Sequence, residues 1–225
     1  MPQVTEQAFF GGAIRGIVPQ GWIDSSTLRE VPDHQELWLS PTTLSSLIIE
    51  INQRVSQDEA LKTYAALNNN QAPTAPAPEI IDQAAALYHL HDLCDEGDTM
   101  QVIKPPQRVD VRLAASTPSP VTAYCGIVSF TAPVRGAEAR IPASAEGAAA
   151  GLEGGLPRVS RTSCHYLLVR LEAQETDLLV FFNVPHEEFD KSGNAMGLSA
   201  EEVVAEETVG EMVGRLEVCD WGLFV

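Results

Sequence analysis

At 225 residues the chain is long enough for one domain, of a size that buries roughly 70% of its unfolded surface. Acidic residues outnumber basic ones 31 to 14, a formal charge of −17, which disfavours nucleic acid and anionic membrane as partners and favours a basic protein surface. No apolar run approaches the roughly 20 residues of a membrane-spanning helix.

The opening, MPQVTEQAFF, has neither the basic start of a secretory signal nor the character of a transit peptide, so residence in nucleus and cytoplasm is expected. Phe9 and Phe10 precede Gly11-Gly12, and Ala13, Ile14, Ile17 and Val18 form a short apolar strand stopped by Pro19 and Gly21. This predicts a hairpin-like entry into a sheet. The glycine pair is no phosphate cradle, because no Gly-Lys-Ser/Thr follows it at a helix start. Asp24 stands where its carboxylate caps a helical turn over residues 25–28. Pro32-Asp33 marks a turn. Residues 35–39 then alternate as a strand, with Leu37 and Leu39 on one side and Glu36 and Trp38 on the other.

A second strand is expected over 46–51, followed by a helix over 56–67 with Ala60, Leu61 and Tyr64 on its apolar stripe. The Pro-rich residues 72–78 read as a loop, and a helix resumes at 79 or 80 and runs to 93, with Ile80, Ala84, Leu87 and Leu90 along one side. The middle third is poor in signals apart from VTAYCGIVSFT, residues 121–131, whose β-branched and aromatic content predicts a strand. Residues 133–157 turn to Ala, Gly and Glu and bury too little to offset their ordering, so they read as a mobile surface insertion. Residues 163–171 and 177–184 predict two long strands joined by a polar connection, the central antiparallel pair of the sheet. A final helix is expected from a capping box of Ser199 and Glu202, with Val209, Met212, Val213 and Leu216 facing the sheet. The order of elements is that of an α+β layered fold.

Several constellations invite chemistry and do not support it. Two apart on a helix, His89 and His91 point about 200° from one another and cannot close on one metal ion. Cys164 and His165 are neighbours on a strand and face opposite sides, with no orienting acid fixed by the sequence, which argues against a nucleophile and base pair and leaves them only to the rival reading of an enzymatic variant. Cys125 lies in an apolar strand and is expected to be inert. The four cysteines show no Cys-x-x-Cys spacing and are expected to be reduced. Neither cofactor nor catalytic residue is expected. The acids Asp24, Asp33, Glu36 and Glu50 are the candidate binding residues. Asp24 and Asp33 have local readings as cap and turn former, whereas Glu36 and Glu50 interrupt otherwise apolar strands.

The ordered elements Phe10, Gly11-Gly12-Ala13, Pro19, Ile23-Asp24, Leu28-Arg29, Val31-Pro32-Asp33 and Gln35-Glu36 resemble the signature of the Ran guanine-nucleotide release factors, the Mog-type family. The likeness continues in Ser46 to Glu50, in Tyr88 to Leu93 and in Leu167 to Pro185, and weakens over 66–80 and 104–160. The resemblance implies an α/β/α sandwich around a mainly antiparallel sheet, PsbP-like, forming one domain with insertions near 68–78 and 133–160. It also implies a monomeric protein that binds the small GTPase Ran, promotes or stabilises its nucleotide-free state and supports nuclear import. In that family an acidic surface meets Ran; Glu50 matches the first of two acids at the end of its strand, while Gln53 stands where the second is expected. An adaptor for membrane-protein trafficking, or a ligand-binding or enzymatic variant of the fold, are the alternative functions.

Overall fold

The computed structural model describes residues 2–67, 77–113, 121–133 and 159–224. The chain opens with a hairpin, β1 (Val4–Phe9) and β2 (Ile14–Pro19), paired from Val4↔Pro19 to Phe9↔Ile14. Its turn uses left-handed backbone at Phe10, Gly11 and Gly12, with φ of 50°, 66° and 97°. Glycine adopts this region freely and phenylalanine does not, so Phe10 needs outside support, which Glu36 supplies as described below.

Next come β3 (Ile23–Asp24), β4 (Gln35–Leu39), β5 (Ser46–Gln53), α1 (Gln57–Leu67) and α2 (Pro78–Asp92). Then follow β6 (Thr99–Val111), β7 (Val121–Pro133), β8 (Val159–Leu171), β9 (Thr176–Pro185), α3 (Glu187–Ser192), α4 (Ala195–Arg215) and β10 (Glu217–Val218). Seven strands make one sheet in the order β3-β4-β5-β9-β8-β7-β6, with every neighbour antiparallel. A second sheet, β1-β2-β10, joins the N-terminal hairpin to the chain's end.

Helices cover both faces of the large sheet. On one side Val55, Ala60, Leu87 and Leu90 pack with Leu168, Leu179 and Phe181. On the other, Val209 and Met212 of α4 and Phe9, Ile14 and Ile17 of the small sheet pack on Leu47, Ile49, Val180 and Phe182. Side chains alternate between faces along a strand, so a strand covered on both sides is apolar throughout; β8 and β9 accordingly read as continuous hydrophobic runs. They form the middle of the sheet, as expected from the sequence.

The structure departs from the sequence expectations in three places. The strand β6 was not anticipated, because Pro105 and Pro106 interrupt it and remove two ladder donors. It is an edge strand, where such residues are tolerated, and its register shifts between Lys104 and Gln107, across the two prolines. Second, the last helix begins at Ala195 with Asn194 as its cap, the side chain accepting from Gly197 N at 2.9 Å. Ser199 therefore lies inside the helix, and Glu202 is occupied elsewhere. Third, strand structure extends up to Pro133 and resumes at Val159, so the borders of the expected insertion are strand, while residues 134–158 lie outside the described residues. Most of the expected Pro-rich loop, residues 68–76, also lies outside them.

Candidate partner-binding surface

Glu50 lies on β5 opposite Gln35 of β4, on the α1/α2 side of the sheet. Gln35 Nε2 donates to its Oε2 at 3.0 Å, and Asn52 Nδ2 donates to its Oε1 at 2.7 Å. These amide donors orient the carboxylate without neutralising it, and the residue is only 9% exposed. It forms one wall of a cleft of about 440 Å³, whose rim also carries Gln53, Glu59, Tyr88 and Asp92.

Glu59 reaches this cleft from the first turn of α1. Ser56 Oγ donates to Glu59 Oε2 at 2.6 Å, while Glu59 N donates to Ser56 Oγ at 3.3 Å, a reciprocal capping box. The hydrogen bonds from Ser56 lower the Glu59 pKa, so the group is ionised at neutral pH. The Tyr88 hydroxyl is pushed the other way: partial burial comes first, followed by the negative charges of Glu59 and Asp92. Three carboxylates thus share one concavity with a single guanidinium, Arg54, so the acids remain in excess, and a basic side chain entering it would meet directed acceptors and a favourable field.

The floor beneath the cleft is built around Asp177 on β9, which is fully buried. Its Oδ2 accepts from Val55 N at 3.0 Å and lies 2.9 Å from His89 Nε2, and its Oδ1 accepts from Arg170 Nε at 3.0 Å. Burial alone would raise the pKa of this carboxyl; the His89 hydrogen bond, the Arg170 charge and the Val55 amide more than offset it and hold the group below its ordinary value. Arg170 also binds Asp82 of α2 at 2.8 Å and the Val55 carbonyl at 2.7 Å. One buried anion therefore fixes α2, β8, β9 and the start of α1 relative to β5, which sets the distance between the walls of the cleft.

The four expected binding acids do not share a surface. Asp33 is exposed in the turn before β4, closed by Gln35 N to Pro32 O at 2.9 Å. It lies at the same end of the strands as Glu50, since His34 O accepts from Ile51 N. Glu36 pairs with Ile49, one residue out of step with Glu50, and so projects to the opposite face of the sheet. There its Oε1 accepts from Phe10 N at 2.6 Å and supports the left-handed turn. Asp24 caps the 3-10 turn Ser25–Thr27, accepting from Ser26 N at 2.8 Å, and pairs with Trp38, also on the Glu36 face. Sequence reasoning missed Glu59 and Asp92 as members of the Glu50 site. The Ser56-x-x-Glu59 spacing was the available signal for the first.

The histidine and cysteine pairs are separated. His89 is buried on Asp177, while His91 is exposed. Cys164 faces the α1/α2 core, and burial drives its thiol pKa far upward. His165, on the opposite face, meets Glu202 Oε2 at 2.6 Å; His186 Nε2 lies 3.2 Å from Oε1 of the same carboxylate and 2.8 Å from Ser163 Oγ. This cluster ties α4 to β8 and to the residue before α3. Among the described residues no set of three or more His, Cys, Asp or Glu side chains is arranged to hold a metal ion, and no helix is long and apolar enough to cross a membrane.

Comparison with known proteins places this architecture. Residues 7–185 match the family model described as Ran-interacting Mog1 protein. The nuclear import protein MOG1 of Saccharomyces cerevisiae is 28% identical over 226 aligned positions, covering 97% of this chain and 84% of that protein. The human Ran guanine nucleotide release factor is 55% identical over a shorter stretch of 42 residues, 19% of this chain and 23% of its own length. In three dimensions the chain is similar to the crystal structure of the S. cerevisiae Ran-binding protein Mog1p, with a TM-score of 0.59 at 22% identity and full coverage of both chains, a likeness of fold. With most of its length inside the family model, the chain belongs to the Ran-interacting Mog1 protein family.

Proposed function

We propose that this protein binds the small GTPase Ran, promotes or stabilises its nucleotide-free state and thereby supports nuclear protein import. The observation that carries the reading is the Glu50 cleft: a carboxylate oriented by two neutral amides and joined by Glu59 and Asp92, in a member of a Ran-interacting family. Among the described residues no basic side chain pairs with Glu50, so its charge is available to a basic group of the partner. A protein that prefers the empty GTPase to the loaded one weakens nucleotide binding by the same factor, because linkage is reciprocal. Release then needs no covalent step and no cofactor, and the protein acts by binding, as a monomer, in nucleus and cytoplasm.

Asp33, at the same end of the sheet, extends the surface, while Asp24 and Glu36 contribute by shaping the N-terminal turns. Gln53 at the rim makes the site one charge poorer than the family pattern implies, which weakens the contact without changing its kind. The test is the rate of labelled-nucleotide loss from loaded Ran with and without the protein. Acceleration that diminishes with added salt is expected. Complex formation with an unchanged rate would make the protein an adaptor, and no complex with empty or loaded Ran would overturn the reading.

A further inference from the structure

A second cavity, at the β8–β9 turn end of the large sheet, has a volume of about 640 Å³, within the range of small-molecule sites. Its walls include Arg54, Val121, Thr122, Leu171, Gln174 and Trp221. We propose that it binds a small monocarboxylate with a flat apolar body. The geometric basis is the contrast between its two guanidinium groups. Arg170 is held on three sides, its Nε on Asp177, Nη1 on Asp82 and Nη2 on the Val55 carbonyl. Arg54 is not: its Nε is buried and has no hydrogen-bond partner among the described residues. A buried donor left unpaired is costly and uncommon. Its backbone is pinned, since Arg54 N donates to Glu175 O at 2.8 Å, so the side chain starts from a fixed position at the cavity wall.

The rest of the lining defines the ligand. Trp221 is half-buried and packs at 5.9 Å on Phe224, which leaves a supported indole as one wall. With half-buried Val121 and buried Leu171 it offers a flat apolar surface suited to an aromatic or similarly planar group. The Thr122 hydroxyl and the Gln174 amide add neutral polar groups. Arg170 is more than offset by Asp82 and Asp177, exposed Glu172 at the rim adds a further negative charge, and Arg54, which also lines the Glu50 cleft, is the guanidinium that no side chain holds among the described residues. Two guanidinium groups set against the carboxylates of Asp82, Asp177 and Glu172 leave no surplus of positive charge, which disfavours a phosphate dianion and favours a monoanion held by the Arg54 guanidinium alone. The net charge of −17 does not forbid this, because distant surface charges are screened beyond about 10 Å at 0.1 M salt.

The cavity shares Arg54 with the Glu50 cleft but none of that cleft's carboxylates, and it is tested in the absence of Ran, so its failure and that of the action on Ran are distinguishable. The full-length, nitrogen-15-labelled protein is titrated with 2-naphthoate, with neutral 2-naphthylmethanol and with 2-naphthyl phosphate, following the Trp221 indole N–H and the Arg54 Nε–H by NMR. Saturable shifts of both signals with 2-naphthoate are expected, with the alcohol binding roughly tenfold or more weaker, the factor expected for loss of a charge-assisted hydrogen bond. The variant Arg54→Gln should lose the same factor for 2-naphthoate and keep its affinity for the alcohol. Equal binding of acid and alcohol, tighter binding of the phosphate, or no saturable shift at Trp221 would each overturn the proposal. Because the comparison of the three ligands is made on the unaltered protein, it decides the matter even if Arg54→Gln does not fold.

Discussion

His89 on α2 and Asp177 on β9 meet beneath the Glu50 cleft, with ring Nε2 2.9 Å from Oδ2, where the histidine is 7% exposed and the aspartate 0%. The pair matters because Asp177 is the single anion that serves His89, Arg170 and the Val55 amide together. Its removal leaves the His89 ring, the Arg170 Nε and the Val55 amide without their shared buried partner, with only Asp82 and the Val55 carbonyl still holding Arg170.

Asp177→Ala is expected to cost about 3–5 kcal/mol, the range for breaking a buried ion pair from one side. Asp177→Asn, which keeps part of the hydrogen bonding, should cost less. Urea unfolding of the two variants checks this, and a loss below about 1 kcal/mol for the alanine variant, the scale of an exposed pair, would show that the network is not what fixes α2.

Gly126 on β7 is required by a close approach. A Cβ there would stand 2.5 Å from Tyr166 Oη and 2.7 Å from the Lys104 carbonyl oxygen. Gly126→Ala is therefore expected to destabilise the fold by about 1–3 kcal/mol through overpacking. The Tyr166 hydroxyl is itself buried without a partner among the described residues, so adding Tyr166→Phe should recover part of the loss. Thermal unfolding of the single and double variants measures both effects; a double variant no better than Gly126→Ala would place the clash at Lys104 alone.

The Glu202 cluster predicts a dependence on acid. Burial raises the pKa of Glu202, but the hydrogen bonds from His165 and Ser163 and the charges of His165 and His186 bring it below the ordinary 4.5. A carboxyl lowered in the folded state stabilises fully above its unfolded pKa and loses that contribution as pH falls through the folded value. The stability difference between the natural protein and Glu202→Gln should thus be largest at neutral pH and shrink below pH 4.5. Chemical denaturation across pH 3–7 (roughly the span of carboxyl titration) tests it, and a gap that widens in acid would reverse the sign.

Thiol reactivity should follow burial. Cys219 is exposed, Cys94 and Cys125 are partly covered with pKa values raised mainly by burial, and Cys164 is enclosed. Mild alkylation followed by peptide mass spectrometry should label Cys219 first and Cys164 only after unfolding. Rapid labelling of Cys164 in the native protein would contradict its placement in the core.

Elements whose burial leaves a local pattern were legible from the sequence. The β8–β9 pair announced itself by unbroken apolar runs, α2 by its stripe through Ala84, Leu87 and Leu90, and the first hairpin by Gly11-Gly12. What failed was set by tertiary context. Pro105 and Pro106 hid β6, because only its edge position makes them acceptable. Ser199 imitated a helix start that Asn194 in fact provides, and freed Glu202 for two histidines on other elements. Asp24 and Asp33 were readable as a cap and a turn. Glu36 and Glu50 were not separable, since the face each occupies depends on the Gln35↔Glu50 register. Glu59 was signalled by Ser56 three residues before it, but its place beside Glu50 required the fold.

The central claim is that the Glu50 cleft is the surface that acts on Ran, and the measurement that bears on it most directly is labelled-nucleotide release from Ran driven by cleft variants. Glu50→Gln together with Glu59→Gln, in a protein that folds normally, should reduce the acceleration by roughly tenfold or more, the scale of lost charged hydrogen bonds. Gln53→Glu, which adds the charge missing from the rim, should increase it. Release rates unchanged by both substitutions, with circular dichroism confirming the fold, would contradict the account.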